Sequence, residues 1–253
     1  MRPRHLTLIT GASRGMGLAM AQQRLAEGHD LLCISRRSNA DLSAAATRHG
    51  QHCTQWERDL SDAAPVAAEL AAWLGPQAGA GWASVTLINN AALIPDIGPL
   101  DATDAHALAT ALRVGLEAPM MLSGAFLRAT ADLPGVRKVL NISSGLGRRA
   151  MASQAAYCAT KAAMDHFTRC VALEQERLPR GARVCSLAPG VIDTDMQVQL
   201  RGASPEAFPD VGNFQQLQQQ GQLTGADEAA ARVLRYLQRP DFGAQPVADV
   251  RDA

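Results

Sequence analysis

Short apolar runs rich in β-branched residues alternate along this chain with longer stretches in which apolar positions recur every three or four residues. The short runs predict strands at residues 5–10, 30–35, 52–57, 84–89, 136–142 and 182–187. Between them, the Ala-rich stretches 18–27 and 65–74 carry helical periodicity, as does the run 155–178. A strand that is apolar at consecutive positions needs cover on both faces, and a helix after each strand supplies it. Crossovers between parallel strands are right-handed, so the pattern predicts a doubly wound α/β sandwich. No linker, repeat or shift in composition divides it, and residues 1–253 read as one domain.

Two segments break the rhythm. Residues 193–225 contain Pro205, Pro209, several glycines and the polar run 215–220. A stretch of that length without strong periodicity is seldom a plain connector, and a substrate lid is the expected role. The tail from Pro240 onward has room for one short last strand at 246–250.

Composition narrows the function classes. Hydrophobic residues make up 47% of the chain, enough for a sizeable core, and charged residues only 19%, which argues against a disordered protein. The 24 basic and 24 acidic residues cancel, and no basic block stands out, so nucleic acid is not an expected partner. No apolar stretch approaches a membrane span, and the apolar run 6–9 is too short for the core of a signal peptide; a cytoplasmic location is expected. Cys33, Cys53, Cys158, Cys170 and Cys185 are odd in number and lack CxxC spacing, which predicts free thiols and no metal site. Only Lys138 and Lys161 are lysines, so each marks a place where arginine was not used.

Directly after the first strand comes Thr10-Gly11-Ala12-Ser13-Arg14-Gly15-Met16-Gly17, leading into a helix. Glycines there let the backbone turn tightly and approach a pyrophosphate, which the helix N-terminus stabilises. The second strand ends Cys33-Ile34-Ser35-Arg36-Arg37, without the acid that would bind the ribose hydroxyls of NAD. Arg36, joined by Arg14, can instead form charge-assisted bonds to a 2′-phosphate, so NADP(H) is the expected cofactor.

Tyr157 and Lys161 lie four residues apart in a helical run, which puts both side chains on one helix face. A cation beside a phenol is expected to lower its pKa and make Tyr157 a general acid or base for a carbonyl/alcohol pair. Ser144 follows the strand 136–142, at the carboxyl edge where ligands of parallel sheets bind, and its hydroxyl could meet a substrate oxygen.

Taken together, residues 10–17, Asp59-Leu60, Asn89-Asn90-Ala91, Ser144, Tyr157/Lys161 and Pro189-Gly190 resemble the ordered motifs of the short-chain dehydrogenase/reductase family. The resemblance spans about residues 5–195 and implies a Rossmann-type domain with a parallel sheet of about seven strands and helices on both faces. It implies that Gly11, Ser13, Arg14, Gly15, Met16 and Gly17 hold the cofactor's phosphates, and that Asp59 and Leu60 flank its adenine. Asn90 would support the cofactor beside the central sheet. Lys161 would bind the nicotinamide ribose, Ser144 would polarise the carbonyl, and Pro189, Gly190, Ile192 and Thr194 would lie at the nicotinamide end. A homodimer or homotetramer is implied by the same resemblance.

Within the family, 116–120 and the tail 243–252 are most similar to the sepiapterin reductase and benzil reductase branch, whose members end in a short strand carrying an acid. Asp249 is the matching residue, either a substrate ligand or a solvated tail carboxylate. Met196, Phe208, Phe214 and Leu217 are candidate substrate contacts on the lid, with ordinary lid packing as the plainer alternative.

One position departs from the family. Gly115 stands where members carry an asparagine that helps hold a proton-relay water. A water is expected to fill the vacated space, and Gly115→Asn is expected to be tolerated. The sequence thus predicts an NADPH-dependent reductase of a ketone or diketone. Gly115 is the one feature favouring the alternative, an NADP(H)-binding regulatory or sensor protein with little turnover.

Overall fold

The computed structural model describes residues 3–252. Seven strands form one parallel sheet in the order β3-β2-β1-β4-β5-β6-β7. They are β1 (Arg4–Thr10), β2 (His29–Ser35), β3 (Cys53–Glu57), β4 (Trp82–Asn89), β5 (Val136–Ile142), β6 (Arg183–Ala188) and β7 (Val247–Asp249). The helices are α1 (Gly15–Ala26), α2 (Ala40–His49), α3 (Ala63–Leu74), α4 (Ala105–Leu112), α5 (Ala118–Ala129), α6 (Ala155–Glu176), α7 (Asp195–Arg201), α8 (Val211–Gln219) and α9 (Ala226–Gln238).

The central strands are mainly apolar and buried towards their carboxyl ends because both faces are covered. Along β1 the side chains alternate, with Leu6 and Leu8 packing towards α3 and α5, and Ile9 packing towards α1 and α9. The strand boundaries lie within two residues of those read from the sequence. The largest difference among the helices is at α1, which starts at Gly15 because the second half of the glycine loop is itself the first helical turn.

One buried polar chain crosses the α3/α5 side of the sheet. Asn89 on β4 is the register partner of Asn141 on β5, and their amides bond at 2.8 Å. Asn89 continues to Ser123 of α5 and Asn141 to Thr168 of α6.

Strand order reverses between β1 and β4, and the crevice at this switch point opens at the carboxyl ends of the strands. Over that end lies a small apolar cluster of Leu200, Phe208 and Val211, flanked by Ile94, Ile97, Met151, Met196 and Phe214. Its residues come from the segment 193–225, which contains the two short helices α7 and α8. Proline, glycine and glutamine hid both helices in the sequence.

Candidate functional site

The glycine loop is shaped by two left-handed positions, Gly11 at φ +68° and Gly15 at φ +55°. At Gly17 a β-carbon would fall 2.1 Å from the Gly11 carbonyl oxygen and 2.6 Å from Asn90 Nδ2, so a side chain there would push the loop open. Asn90 closes the same contact from the other side, with Nδ2 donating to the carbonyls of Thr10 at 3.0 Å and Gly11 at 3.2 Å. In return Thr10 Oγ1 accepts from the N–H groups of Asn90 and Ala91. Asn90 is therefore the lace that ties the loop to β4.

The N-terminus of α1 carries no side-chain cap and no acidic residue in its first turn. Its N–H groups and the positive end of its dipole are left for an anion, and a β-carbon at Gly15 would meet nothing within 4 Å. This cradle fits the pyrophosphate of a dinucleotide. Ser13 and Met16 belong to the same turn. At its rim Arg14 is ion-paired with Asp195 of α7. Arg36, exposed just beyond β2, has no ion-pair partner among the described residues. Asp59 lies nearby: the Ser61 N–H holds its carboxyl below the usual range, with Arg36 as a smaller cause. Leu60 is buried in the core beneath them.

Ser144 follows β5, accepts from the Leu146 N–H at 3.2 Å and lies close enough to the Tyr157 phenol to affect its titration. Tyr157 sits in the first turn of α6 and Lys161 one turn later, both buried. Lys161 Nζ donates to the Ile142 carbonyl at 2.7 Å and lies 5.7 Å from the centre of the tyrosine ring. Tyr157 and Lys161 share one face of α6, with Ser144 beside the phenol.

Their titration runs against expectation. Burial pushes the Tyr157 phenol up to about 12, with the neighbouring Ser144 hydroxyl pulling the other way. Burial likewise draws the Lys161 ammonium down to about 8, opposed by Asp165. A four-residue spacing reports that a cation is near; it does not report that water is excluded. Tyr157 is thus protonated at neutral pH, the form a proton donor requires.

Asp165, missed in the sequence, lies a further turn along the face of Tyr157 and Lys161. It is 2% exposed and accepts from Ser143 Oγ at 2.7 Å, Ser186 Oγ at 2.6 Å and Arg148 Nε at 3.1 Å. Its regular spacing after Tyr157 and Lys161 was the available signal. Removing its charge lowers the Lys161 pKa further, so activity that needs the ammonium is lost at a lower pH. Asp165→Asn is expected to move the alkaline limb of the kcat profile downward, and an unmoved limb would separate Asp165 from the lysine.

Gly115 is buried within a single wide turn, Arg113–Glu117, between α4 and α5. A β-carbon there would lie 2.6 Å from Thr160 Cγ2, so the space an asparagine side chain would need is already taken. Thr160 is held by its own bond, Oγ1 to the Ala156 carbonyl at 2.8 Å. The expected tolerance of asparagine is corrected accordingly.

Phe208 is fully buried inside the 193–225 segment, against Phe214 at 5.4 Å between ring centres, so Phe208 serves packing. Met196 and Phe214 are half-buried at the margin of that cluster, while Leu217 lies outside it. Pro189 is buried and Gly190 turns at φ +85° after β6, leading to Ile192, which bridges Thr224, and to Thr194 at the start of α7. Asp249 is neither solvated nor free. It is 5% exposed and held by Arg251 through bonds of 2.9 and 2.7 Å, which depress its pKa. A substrate would have to compete with Arg251 for this carboxylate.

Among the described residues no helix is long and apolar enough to cross a membrane. Comparison with known proteins matches residues 5–204 to the family model described as short chain dehydrogenase. The chain is 32% identical to a benzil reductase, (S)-benzoin forming, of Bacillus cereus, over 93% of this chain and 94% of the relative. It is also 32% identical to the sepiapterin reductase of Meriones unguiculatus, over 97% and 95%. A solved short-chain dehydrogenase/reductase from Burkholderia vietnamiensis is 38% identical, covers 100% of this chain and 99% of its own, and superimposes with a TM-score of 0.68.

Proposed function

This chain belongs to the short-chain dehydrogenase family, oxidoreductases that bind a nicotinamide cofactor, and from that premise we propose that it is an NADPH-dependent reductase of ketones or diketones. The observation that carries the reading is the meeting of Ser144, Tyr157 and Lys161 at the carboxyl edge of β5. The nicotinamide supplies hydride when bound. Tyr157 then donates its phenolic proton to the substrate oxygen, and Ser144 donates a hydrogen bond to the same oxygen. Lys161, fixed by the Ile142 carbonyl, holds the ribose and keeps positive charge beside the phenol as its proton leaves.

On this reading the backbone of Gly11, Ser13, Arg14, Gly15, Met16 and Gly17 holds the phosphates. Asp59 and Leu60 border the adenine, Asn90 keeps the loop in shape, and Pro189, Gly190, Ile192 and Thr194 shape the nicotinamide end. The segment 193–225 acts as the substrate lid, with Met196 and Phe214 facing the substrate and Asp249 a further contact. A homodimer or homotetramer is proposed from the family resemblance alone. A cytoplasmic site of action accords with free cysteines.

Preference for NADPH rests on Arg36. Loss of a charge-assisted bond to a 2′-phosphate costs roughly 1.5–3 kcal/mol. Arg36→Ala is therefore expected to weaken NADPH binding about ten- to a hundredfold and leave NADH binding nearly unchanged. Equal losses for the two cofactors would refute the preference. The reading as a whole is tested by following NADPH absorbance with benzil and other carbonyl compounds; a protein that binds NADPH and reduces none of them would be a sensor instead.

A further inference from the structure

Arg148 follows Ser144 by four residues, at the end of the tight turn Gly145–Gly147, and its side chain is held at two points. Nε donates to Asp165 Oδ2 on α6 at 3.1 Å, and Nη2 donates to the Ala248 carbonyl on β7 at 2.9 Å. The turn itself is pressed onto α6: a β-carbon at Gly147 would lie 3.0 Å from the Lys161 carbonyl and 3.2 Å from Asp165 Oδ2. One guanidinium thus ties together the turn that carries Ser144, the helix that carries Tyr157 and Lys161, and the last strand.

The pair also carries charge. Asp165 favours the ammonium form of Lys161, and the Arg148 cation beside Asp165 partly cancels that pull. The other ionisable groups around them do not change charge near neutral pH. Tyr157 and, on β6, Cys185 are both pushed up to about 12 and stay neutral. Asp249 on β7 is already paired with Arg251, and His106, Arg113 and Glu117 on the α4 side of α6 are exposed. We propose that Arg148 is a positioning residue: its planar fork locks the Ser144 turn onto α6, and its charge sets how strongly Asp165 acts on Lys161. A lysine would supply the charge without the fork that reaches both acceptors. This deepens the reductase reading and rests on it for the role of Ser144.

The chain has only two lysines, so isotope labelling of lysine gives two side-chain NMR signals, and Lys138→Arg identifies that of Lys161. In the protein without cofactor, Arg148→Met is expected to move the Lys161 titration to higher pH, because Asp165 is left uncancelled. Arg148→Lys, whose one added signal is told apart by its absence from the wild type, is expected to leave the Lys161 titration in place. In both variants kcat on a ketone that the wild type reduces should fall roughly ten- to a hundredfold, as small displacements at a site can cost. A Lys161 titration that stays put in Arg148→Met would overturn the assignment. So would an equal rise in both variants, the mark of water entering a loosened site, or wild-type kcat in both. The titration needs no turnover, so the expected shifts in a protein that reduces no ketone would sink the reductase reading alone. Should Arg148→Met fail to fold, Arg148→Gln, which removes the charge and keeps a donor, takes its place.

Discussion

Tyr157→Phe is expected to lower kcat by roughly 10²–10⁴-fold, the usual contribution of a general acid, while leaving the affinity for NADPH close to that of the wild type. The ring fills the same buried space, so the packing of α6 against Ser144 survives, and only the phenolic proton is gone. The wild-type phenol, pushed up to about 12, stays protonated over the whole neutral range. Loss of reductase activity with rising pH should then follow Lys161, with its value of about 8, and not the tyrosine. Near-normal kcat in the phenylalanine variant would mean that the proton comes from another group.

Gly115→Asn is expected to lower stability and cofactor binding together, although it moves the sequence towards its relatives. Replacing a helical glycine usually gains a few tenths of a kcal/mol, because glycine costs roughly 1 kcal/mol relative to alanine. Against that stands the Thr160 methyl, 2.6 Å from the new β-carbon and fixed by the threonine's own hydrogen bond. Forcing extra atoms into a packed site costs typically 1–3 kcal/mol, so overpacking outweighs propensity. Thr160→Ser removes only the methyl and keeps the hydroxyl. In that background Gly115→Asn should regain most of the lost melting temperature. A single Gly115→Asn variant that melts with the wild type would show that the wide turn relaxes freely.

The two variants mark what the sequence could and could not show. Tyr157, Lys161 and Ser144 were legible because each lies at a fixed distance from a recognisable strand or helix end. The doubly wound sheet was legible because its central strands bury both faces and leave short, mainly apolar runs. What escaped depends on partners distant in the chain. Thr160 meets Gly115 forty-five positions away, and Asp165 bonds residues of β5's exit and β6. The titration of Tyr157 was misread for the same reason, since its direction is set by burial beneath several elements. Asp249 was weighed as ligand or solvated tail, and the structure adds a third circumstance, an arginine two residues later already holding it.

The amide chain through Asn89 and Asn141 bears on how this sheet avoids folding one residue out of step. Parallel apolar strands offer little to tell one alignment from the next, since Val, Ile and Leu are interchangeable over short slides. Two asparagines that face each other in the native pairing, both almost wholly buried, change that. A slide of β5 by one position would carry Asn141 to the opposite face of the sheet and leave both amides among aliphatic side chains, each an unmet polar group in the core. The chain thus acts as an indexing pin. The strands it aligns are those that deliver Asn90 to the glycine loop and Ser144 to Tyr157, so the accuracy of the chemistry is inherited from two side chains that never touch it.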